Sequence, residues 1–537
     1  MTKRKLKTRL TRAYGNEPLT HYHSGDMAQI RKYHDHVAAR SEENLIDDIT
    51  WNDLDMDNVF KKINLGMSSC GEAYLYHTLR KPAHDENDYN RRKSLVEIME
   101  SHPKERLETS VALSGLGCPR RADLAAPIDP PKNPMPRLIL YTLLALVLAA
   151  VAVAVFFFPD LWKCAVGICA FNLILRERRM KKIQLDFENT AFTVSLICTL
   201  ADVKKVGFGE LDAHLEDAYA SLDKLRNLAK FEKIISARKG EIMDTLDVIA
   251  GLLLIDMIVY ELAKNKLSRH HGDIVAIFEA VGSAETAISV ASYRKYLENN
   301  ADYYCLEPEL TFGKGDSKFA YIDAKNLVHP CMDESVANDA ALTKSMLITG
   351  SNASGKSTYI RVTAICAILA QSIGTCTAET YRASAFRIFS SMVISDDLSG
   401  GDSYYIAEIK SLRRILRAAD DGDTLPVLCV IDEVLRGTNT VERISASCEI
   451  LLELAANALC IAATHDIELC ALTEGVYGMY HFSETVKDGK MSFDYKLKPG
   501  ITATRNAIKL LSVMDFPPSV VDKANARAAD YETKGVW

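Results

Sequence analysis

Gly350-Ser351-Asn352-Ala353-Ser354-Gly355-Lys356-Ser357 has the form of a phosphate-binding loop, and its flanks have the form that such a loop needs. Met346-Leu347-Ile348-Thr349 ahead of it is a short apolar run that predicts a strand. Thr358-Tyr359-Ile360-Arg361 and the alanine-rich Val362 to Gln371 after it predict an uninterrupted helix. The glycines let backbone N–H groups turn inward around phosphates, Lys356 is spaced to reach the β- and γ-phosphates, and Ser357 supplies a hydroxyl for Mg2+. The stretch from Gly350 to Thr358 is therefore expected to bind a nucleotide, with ATP and Mg2+ as its ligands.

Downstream, Leu425-Pro426-Val427-Leu428-Cys429-Val430-Ile431 is an apolar run that ends in Asp432-Glu433. Adjacent acids at a strand end also occur as ordinary turns and caps. Following a phosphate loop, they read as a Walker B element, with Asp432 on the metal and Glu433 orienting or deprotonating the attacking water. A further apolar run, Ala458-Leu459-Cys460-Ile461-Ala462, leads into Ala463-Thr464-His465-Asp466, which places His465 at a strand end within reach of a γ-phosphate. Together with Phe319-Ala320-Tyr321-Ile322, these strands alternate with helical segments, so an α/β domain is expected over 301–537.

The rest of the chain differs in texture. Its 537 residues carry 48% hydrophobic and 25% charged residues and a net charge of −7, the composition of a folded protein with no global case for nucleic-acid binding. Lys3, Arg4, Lys5, Lys7, Arg9 and Arg12 form a local basic cluster, readable either as a solvated tail or as a contact for phosphates or anionic lipid headgroups. No apolar stretch follows it, so a secretory signal is not expected. Residues 1–45 are polar and His-rich, carry few structural signals and are expected to be partly disordered. The 13 cysteines include no C-x-x-C pair and read as reduced core residues. His21, His23, His34, His36, His270 and His271 lack companions at ligand spacing, so no structural metal is expected.

Residues 46–117 show helical periodicity, with Pro82 ending one helix, and 118–137 form a Pro-rich linker. From Leu138 to Phe158 the chain is uncharged, and at ~1.5 Å per residue it is about as long as a bilayer core is thick. Pro159-Asp160 interrupts it, and a shorter apolar segment, Leu161 to Leu175, contains Lys163. Residues 138–175 are thus expected to form a transmembrane hairpin. Arg137 and the run from Arg176 to Lys182 flank it and place both ends in the cytoplasm. Two buried helices of a soluble core are the alternative. Residues 176–300 predict long helices suited to act as levers. Ile249 to Tyr260, short and carrying Asp256, predicts a buried helix.

Four blocks in order resemble the ATPase domain of the MutS family of DNA mismatch-repair proteins: Thr349 to Arg361; Asp396-Asp397-Leu398-Ser399-Gly400-Gly401-Asp402-Ser403-Tyr404-Tyr405-Ile406-Ala407-Glu408; Ile431-Asp432-Glu433-Val434-Leu435-Arg436-Gly437-Thr438-Asn439-Thr440; and Ala463-Thr464-His465. Leu65 to Leu75 and Leu79 to Pro82 are similar to the start of the family's helical core, and the tail from Leu497 to Val521 is similar to its C-terminal helices. The resemblance covers roughly 46–117 and 183–530. It implies an ABC-type P-loop fold preceded by an all-α core and lever region. It also implies that Ser403 is a signature serine presented to the γ-phosphate of the other subunit. The ATP sites would then be composite and the chain a homodimer through its ATPase domains. Asn439 would couple the two sites, His465 would be a switch histidine, and His329-Pro330 and Asn338 would lie near the nucleotide.

The departures also carry information. The family's mismatch-reading domain should precede the core, and no segment of that size precedes Asp47. Phe208-Gly209-Glu210 and Phe482-Ser483-Glu484 match the family's reading motif in letters only. Mismatch recognition is therefore not expected. The hairpin, the linker, Asp402 and Tyr404-Tyr405 also depart from the family pattern. The leading expectation is a membrane-attached ATPase acting on DNA, with its ATPase domain cytoplasmic. The alternative is an ATP-driven membrane tether or coupler acting on a protein or lipid without DNA.

Overall fold

The apolar runs that do not alternate, Met346–Thr349 and Ala458–Thr464, are buried at every position, as strands covered on both faces must be. They are the centre of a mainly parallel sheet in the computed structural model, which describes residues 2–23, 25–40, 45–118, 135–231, 250–313, 320–351, 354–392, 404–422, 424–435, 439–487, 490–501, 508, 511 and 516–534. The chain divides into two compact units. One comprises Met1–Glu43, Phe60–Thr78 and Arg92–Tyr296; the other comprises Asn44–Val59, Leu79–Arg91 and Leu297–Trp537.

The described residues of the second unit hold ten strands: β1 Glu309–Thr311, β2 Ile322–Leu327, β3 Asn338–Leu342, β4 Met346–Thr349, β5 Thr380–Ser384, β6 Arg387–Ser391, β7 Val427–Asp432, β8 Ala458–Thr464, β9 Gly478–Lys487 and β10 Lys490–Pro499. The six-stranded sheet runs β10-β9-β4-β8-β7-β6 and is parallel except for the β9–β10 hairpin. The smaller sheet runs β1-β5-β2-β3. Of the strand expected over Phe319–Ile322, Phe319 lies outside the described residues, and Ile322 opens a strand that continues to Leu327.

The described helices, in chain order, are α1 Lys3–Ala13, α2 Asp26–Ala38, α3 Asp48–Asp53, α4 Met56–Ile63, α5 Ser69–Arg80, α6 Glu86–Ser101, α7 Pro103–Leu113, α8 Met135–Ala154, α9 Trp162–Lys204, α10 Gly209–His214, α11 Glu216–Leu225, α12 Ile255–Arg269, α13 His271–Asn299, α14 Lys356–Ile373, α15 Tyr404–Asp420, α16 Thr440–Asn457, α17 Ile467–Leu472 and α18 Pro518–Lys534. α14 is buried along nearly its whole length and touches strands of both sheets. Beside it, Leu347, Val427, Cys429, Ile431, Cys460 and Leu454 pack into one apolar cluster.

The N-terminal segment holds more structure than its sequence signals, because residues expected to be partly disordered form α1 and α2. Their apolar residues are few but correctly spaced: Leu6, Leu10 and Ala13 are half-buried, and Ile30, Tyr33 and His34 are fully buried. So sparse a pattern in a charged sequence falls below what periodicity can resolve. His34 faces His77, with their Nδ1 atoms 3.2 Å apart.

α8 and α9 form a helical hairpin through the turn at 155–161, and α9 runs on without a break for 43 residues. The second apolar segment is therefore only the first part of a much longer helix. Only 11% of Arg137–Ala154 is buried, and Leu143, Leu146, Phe156, Trp162 and Phe171 lie open. α13 is also long and apolar, yet 78% of it is buried, as in a core helix. Asp256, near the start of α12, is buried and receives Arg176 at 2.8 Å. α5 and α13 approach so closely that a Cβ on Gly71 would lie 2.0 Å from the Glu285 carboxyl carbon, and one on Gly282 would lie 2.5 Å from Tyr74 Cβ. The Glu285 carboxyl accepts from the Ser68 N–H at 2.7 Å and from its hydroxyl at 2.5 Å. Burial pushes this group up to about 8; the Ser68 hydrogen bonds oppose the rise and the nearby Glu72 adds to it.

Candidate functional site

Register places the chemistry. Thr349 pairs with Thr464 and Asp432 with Ala463, so the C-terminal ends of β4, β7 and β8 come level. The loops leaving those three strands carry the phosphate loop, Glu433 and His465, at the carboxyl edge where parallel α/β sheets gather ligands.

The loop turns through Gly350 at φ 147° and Gly355 at φ 104°, conformations that an L side chain resists. α14 begins immediately afterwards, with its free N–H groups facing the loop. The buried Lys356 ammonium donates to the carbonyls of Gly350 and Ser351 at 2.7 and 2.9 Å. Ser357 Oγ donates to Asp432 Oδ2 at 2.6 Å, so the two groups expected to share a metal are already side by side. Glu433 holds a left-handed φ of 64°, fixed by its N–H donating to Ala463 O at 2.9 Å, a strained geometry of the kind that collects at functional sites. Its carboxylate lies 3.0 Å from His465 Nε2, which is 3.5 Å from the Lys356 ammonium. Lys356, Ser357, Asp432, Glu433 and His465 are thus brought together.

The residues fit a metal-bound nucleoside triphosphate. Ser354 Oγ is buried without a hydrogen-bond partner in the loop, and a Cβ at Gly350 would come within 3.0 Å of it and of Phe482 O. A cavity of about 710 Å³ opens from the loop across Leu327, Met332, Val336, Tyr359 and Tyr495, with Ser351, Thr358 and Glu433 also on its wall. Its apolar side suits a base and its polar side suits phosphates. Asn338 donates to Tyr495 O at 2.9 Å and accepts from Leu497 N at 2.8 Å, which fixes the Tyr495 wall. His329 lies just behind and is held down at about 4, by burial and then by Arg361, so it is neutral at ordinary pH. Asn439 caps α16 by accepting from Val441 N. Asn352, Ala353 and Ser403 lie outside the described residues.

Sequence reasoning missed several participants. Phe482 and Glu484, set aside as chance letters, belong to the site: Phe482 lines the cavity and Glu484 accepts from the Ser351 hydroxyl. Tyr495 comes from β10, far along the chain. Arg443 on α16 holds Asp466 through two bonds of 3.1 and 2.6 Å, bracing the residue next to His465. α3 contributes as well. Asp53 accepts from the Ser390 hydroxyl at 2.6 Å and from Met392 N at 2.9 Å, its carbonyl accepts from Arg361 at 3.0 Å, and Asp47 pairs with Arg414. Arg361 follows the phosphate loop on α14. Ser390 and Arg414 flank the segment that contains Ser403. The only signal available was Asp47 as a helix N-cap, which it is.

The family model described as MutS domain V matches residues 346–532. "MutS protein homolog 4" of Homo sapiens is 36% identical over 217 residues, covering 36% of this chain and 22% of its own length. "DNA mismatch repair protein MutS 2" of Haloarcula marismortui is 33% identical over 206 residues, 37% of this chain and 21% of its own length. "DNA mismatch repair protein MutS 1" of Halobacterium salinarum is 28% identical over 335 residues, 60% of this chain and 36% of its own length. The chain therefore spans well under half the length of these relatives.

Proposed function

Because this chain belongs to the MutS family, we propose that it is a membrane-held ATPase in which ATP binding and hydrolysis, at a site shared between two copies, drive a conformational switch acting on DNA. The observation that carries this reading is the convergence of Lys356, the Ser357–Asp432 pair and the Glu433–His465 pair at one sheet edge.

Each side chain then has a task. Lys356 balances the β- and γ-phosphate charge with the ammonium that now bonds the loop carbonyls, and Ser354 offers its unused hydroxyl. Ser357 and Asp432 would hold Mg2+, which neutralises charge developing on the transferred phosphoryl group. Glu433 orients the attacking water and takes its proton, and its fixed backbone keeps the carboxylate aimed. His465, 3.0 Å away, senses the charge of that carboxylate and reports on the γ-phosphate. Ser403 of one copy completes the site of the other. Asp47 and Asp53 tie α14 to both flanks of the Ser403 segment, so motion at the loop is passed to the part that meets the second copy.

The exposed apolar hairpin of α8 and α9 supports membrane attachment, with the ATPase unit on the cytoplasmic side. The names of the mismatch-repair relatives support DNA as the target. The same hairpin and the net charge of −7 favour a second reading, an ATP-driven tether that engages protein or lipid. Glu433→Gln tests the ATPase: it should retain ATP and lose about 10²–10⁴-fold in turnover. Normal turnover would remove Glu433 from its role. DNA binding whose affinity falls steeply with salt would favour the first reading. Its absence at low salt would favour the tether.

A further inference from the structure

We infer that the groove beside α1 is a docking site for the backbone of double-stranded nucleic acid. The inference rests on the nucleic-acid arm of the reading above and gives that arm a location.

Arg4, Lys5, Thr8, Arg9 and Arg12 recur at i, i+1, i+4, i+5 and i+8, one face of a helix, and all are exposed. They line a groove of about 850 Å³ whose opposite wall is the chain at Asn16–Thr20 and Leu65–Met67. Glu17, the one carboxylate among the groove's described residues, is taken by Lys62 at 2.8 Å. The remaining cations of the cluster do different work on the other side of the helix. Lys7 bonds Glu108, Lys3 stands 3.7 Å from the same carboxylate, and the Arg106 guanidinium lies over the Tyr14 ring at 3.6 Å. Gly15 N donates to Ser292 at 2.9 Å. The helix is therefore anchored on one side and offers an unneutralised basic face on the other, which is a preformed surface and not a solvated tail.

Three features select the occupant. From Arg4 to Arg12 the face runs for about 12 Å, enough to meet about three successive phosphates of one strand and too long for a single phosphate group. Among the described residues no aromatic side chain lines the groove, which gives the bases of a single strand no stacking platform there. On α1 itself the exposed face is charged, Leu6 and Leu10 being half-buried, and the exposed Leu19 across the groove is a single bulky apolar side chain, short of the apolar face that insertion into a bilayer needs. A duplex backbone satisfies all three.

The test uses the full-length protein in detergent, a fluorescein-labelled 30-base-pair duplex and the triple variant Arg4→Gln/Arg9→Gln/Arg12→Gln, which spares Lys7. Wild type should bind, and the slope of log affinity against log salt should become shallower by about 3 in the variant, at about 0.9 per phosphate contact. ATP hydrolysis without DNA should be unchanged, confirming that the variant folds. Wild-type binding with an unaltered slope in the variant would overturn the groove and leave the DNA reading standing. A wild type that does not bind the duplex at low salt would overturn both. Loss of binding only to phosphatidylserine vesicles would assign the groove to lipid and overturn the proposal.

Discussion

Replacing Asp53 with alanine should slow ATP hydrolysis without weakening nucleotide binding, although the residue is about 300 positions from the phosphate loop in sequence. Its buried carboxylate accepts from Ser390 Oγ at 2.6 Å and Met392 N at 2.9 Å. A hydrogen bond to a charged acceptor contributes about 1.5–3 kcal/mol, so losing two, with the donors left buried, costs about 3 kcal/mol or more. A domain's whole stability is about 5–15 kcal/mol, so the loss is large but survivable. Asp53→Asn keeps one acceptor and should cost about half as much. Urea unfolding read through Trp51, buried two residues away on α3, measures the stability, and steady-state kinetics measure the function. The expected pattern is a lower kcat with an unchanged KM for ATP, because Lys356, Ser357 and Asp432 are untouched while the flank of the Ser403 segment is released. A full-rate Asp53→Ala enzyme with wild-type stability would refute the proposed coupling through α3.

Other perturbations separate other parts of the account. Lys356→Ala should abolish tight ATP binding, as measured by fluorescent-nucleotide titration; retained affinity would displace Lys356 from the phosphates. Glu285 is raised from 4.5 to about 8, so between those values the folded protein keeps a proton that the unfolded chain has released. Stability should therefore fall as pH rises through that window and level off above it, and Glu285→Gln, which preserves an acceptor for Ser68, should flatten the slope in thermal melts. Leu143→Arg, Leu146→Arg and Val147→Arg together oppose insertion by about 8 kcal/mol. They should shift the protein into the soluble fraction on alkaline extraction, and a variant that stays with the membranes would count against the hairpin as an anchor.

Part of this architecture is written locally and part is not. Continuous apolar runs identified β4, β7 and β8, because a strand covered on both faces needs no alternation, and the glycines around Lys356 announced a backbone turn that only they tolerate. The Ser357–Asp432 and Glu433–His465 pairs followed, since Asp432, Glu433 and His465 sit at or just past strand ends and Ser357 opens the helix after the loop, places that the fold sets. Tyr495, Phe482, Glu484 and Asp53 were not legible. Their roles arise from a hairpin edge and a distant helix meeting the sheet, and nothing in their own neighbourhoods marks those contacts. α1 was misread for a related reason: its anchors, Glu108 and Ser292, lie about a hundred and almost three hundred residues away. A charged helix with remote partners looks like a solvated tail in sequence.

Mixing two inactive variants tests the composite site most directly. Lys356→Ala cannot hold ATP but presents an intact Ser403, whereas Ser403→Ala holds ATP but presents no signature serine. In a two-fold dimer, each mixed pair contains one complete site. Each variant alone should be nearly inactive, and an equimolar mixture should recover roughly a quarter of the wild-type ATPase rate, since about half the dimers are mixed and each has one working site of two. A mixture no more active than its components, or a Ser403→Ala protein that hydrolyses ATP at the full rate, would contradict a site shared between two copies.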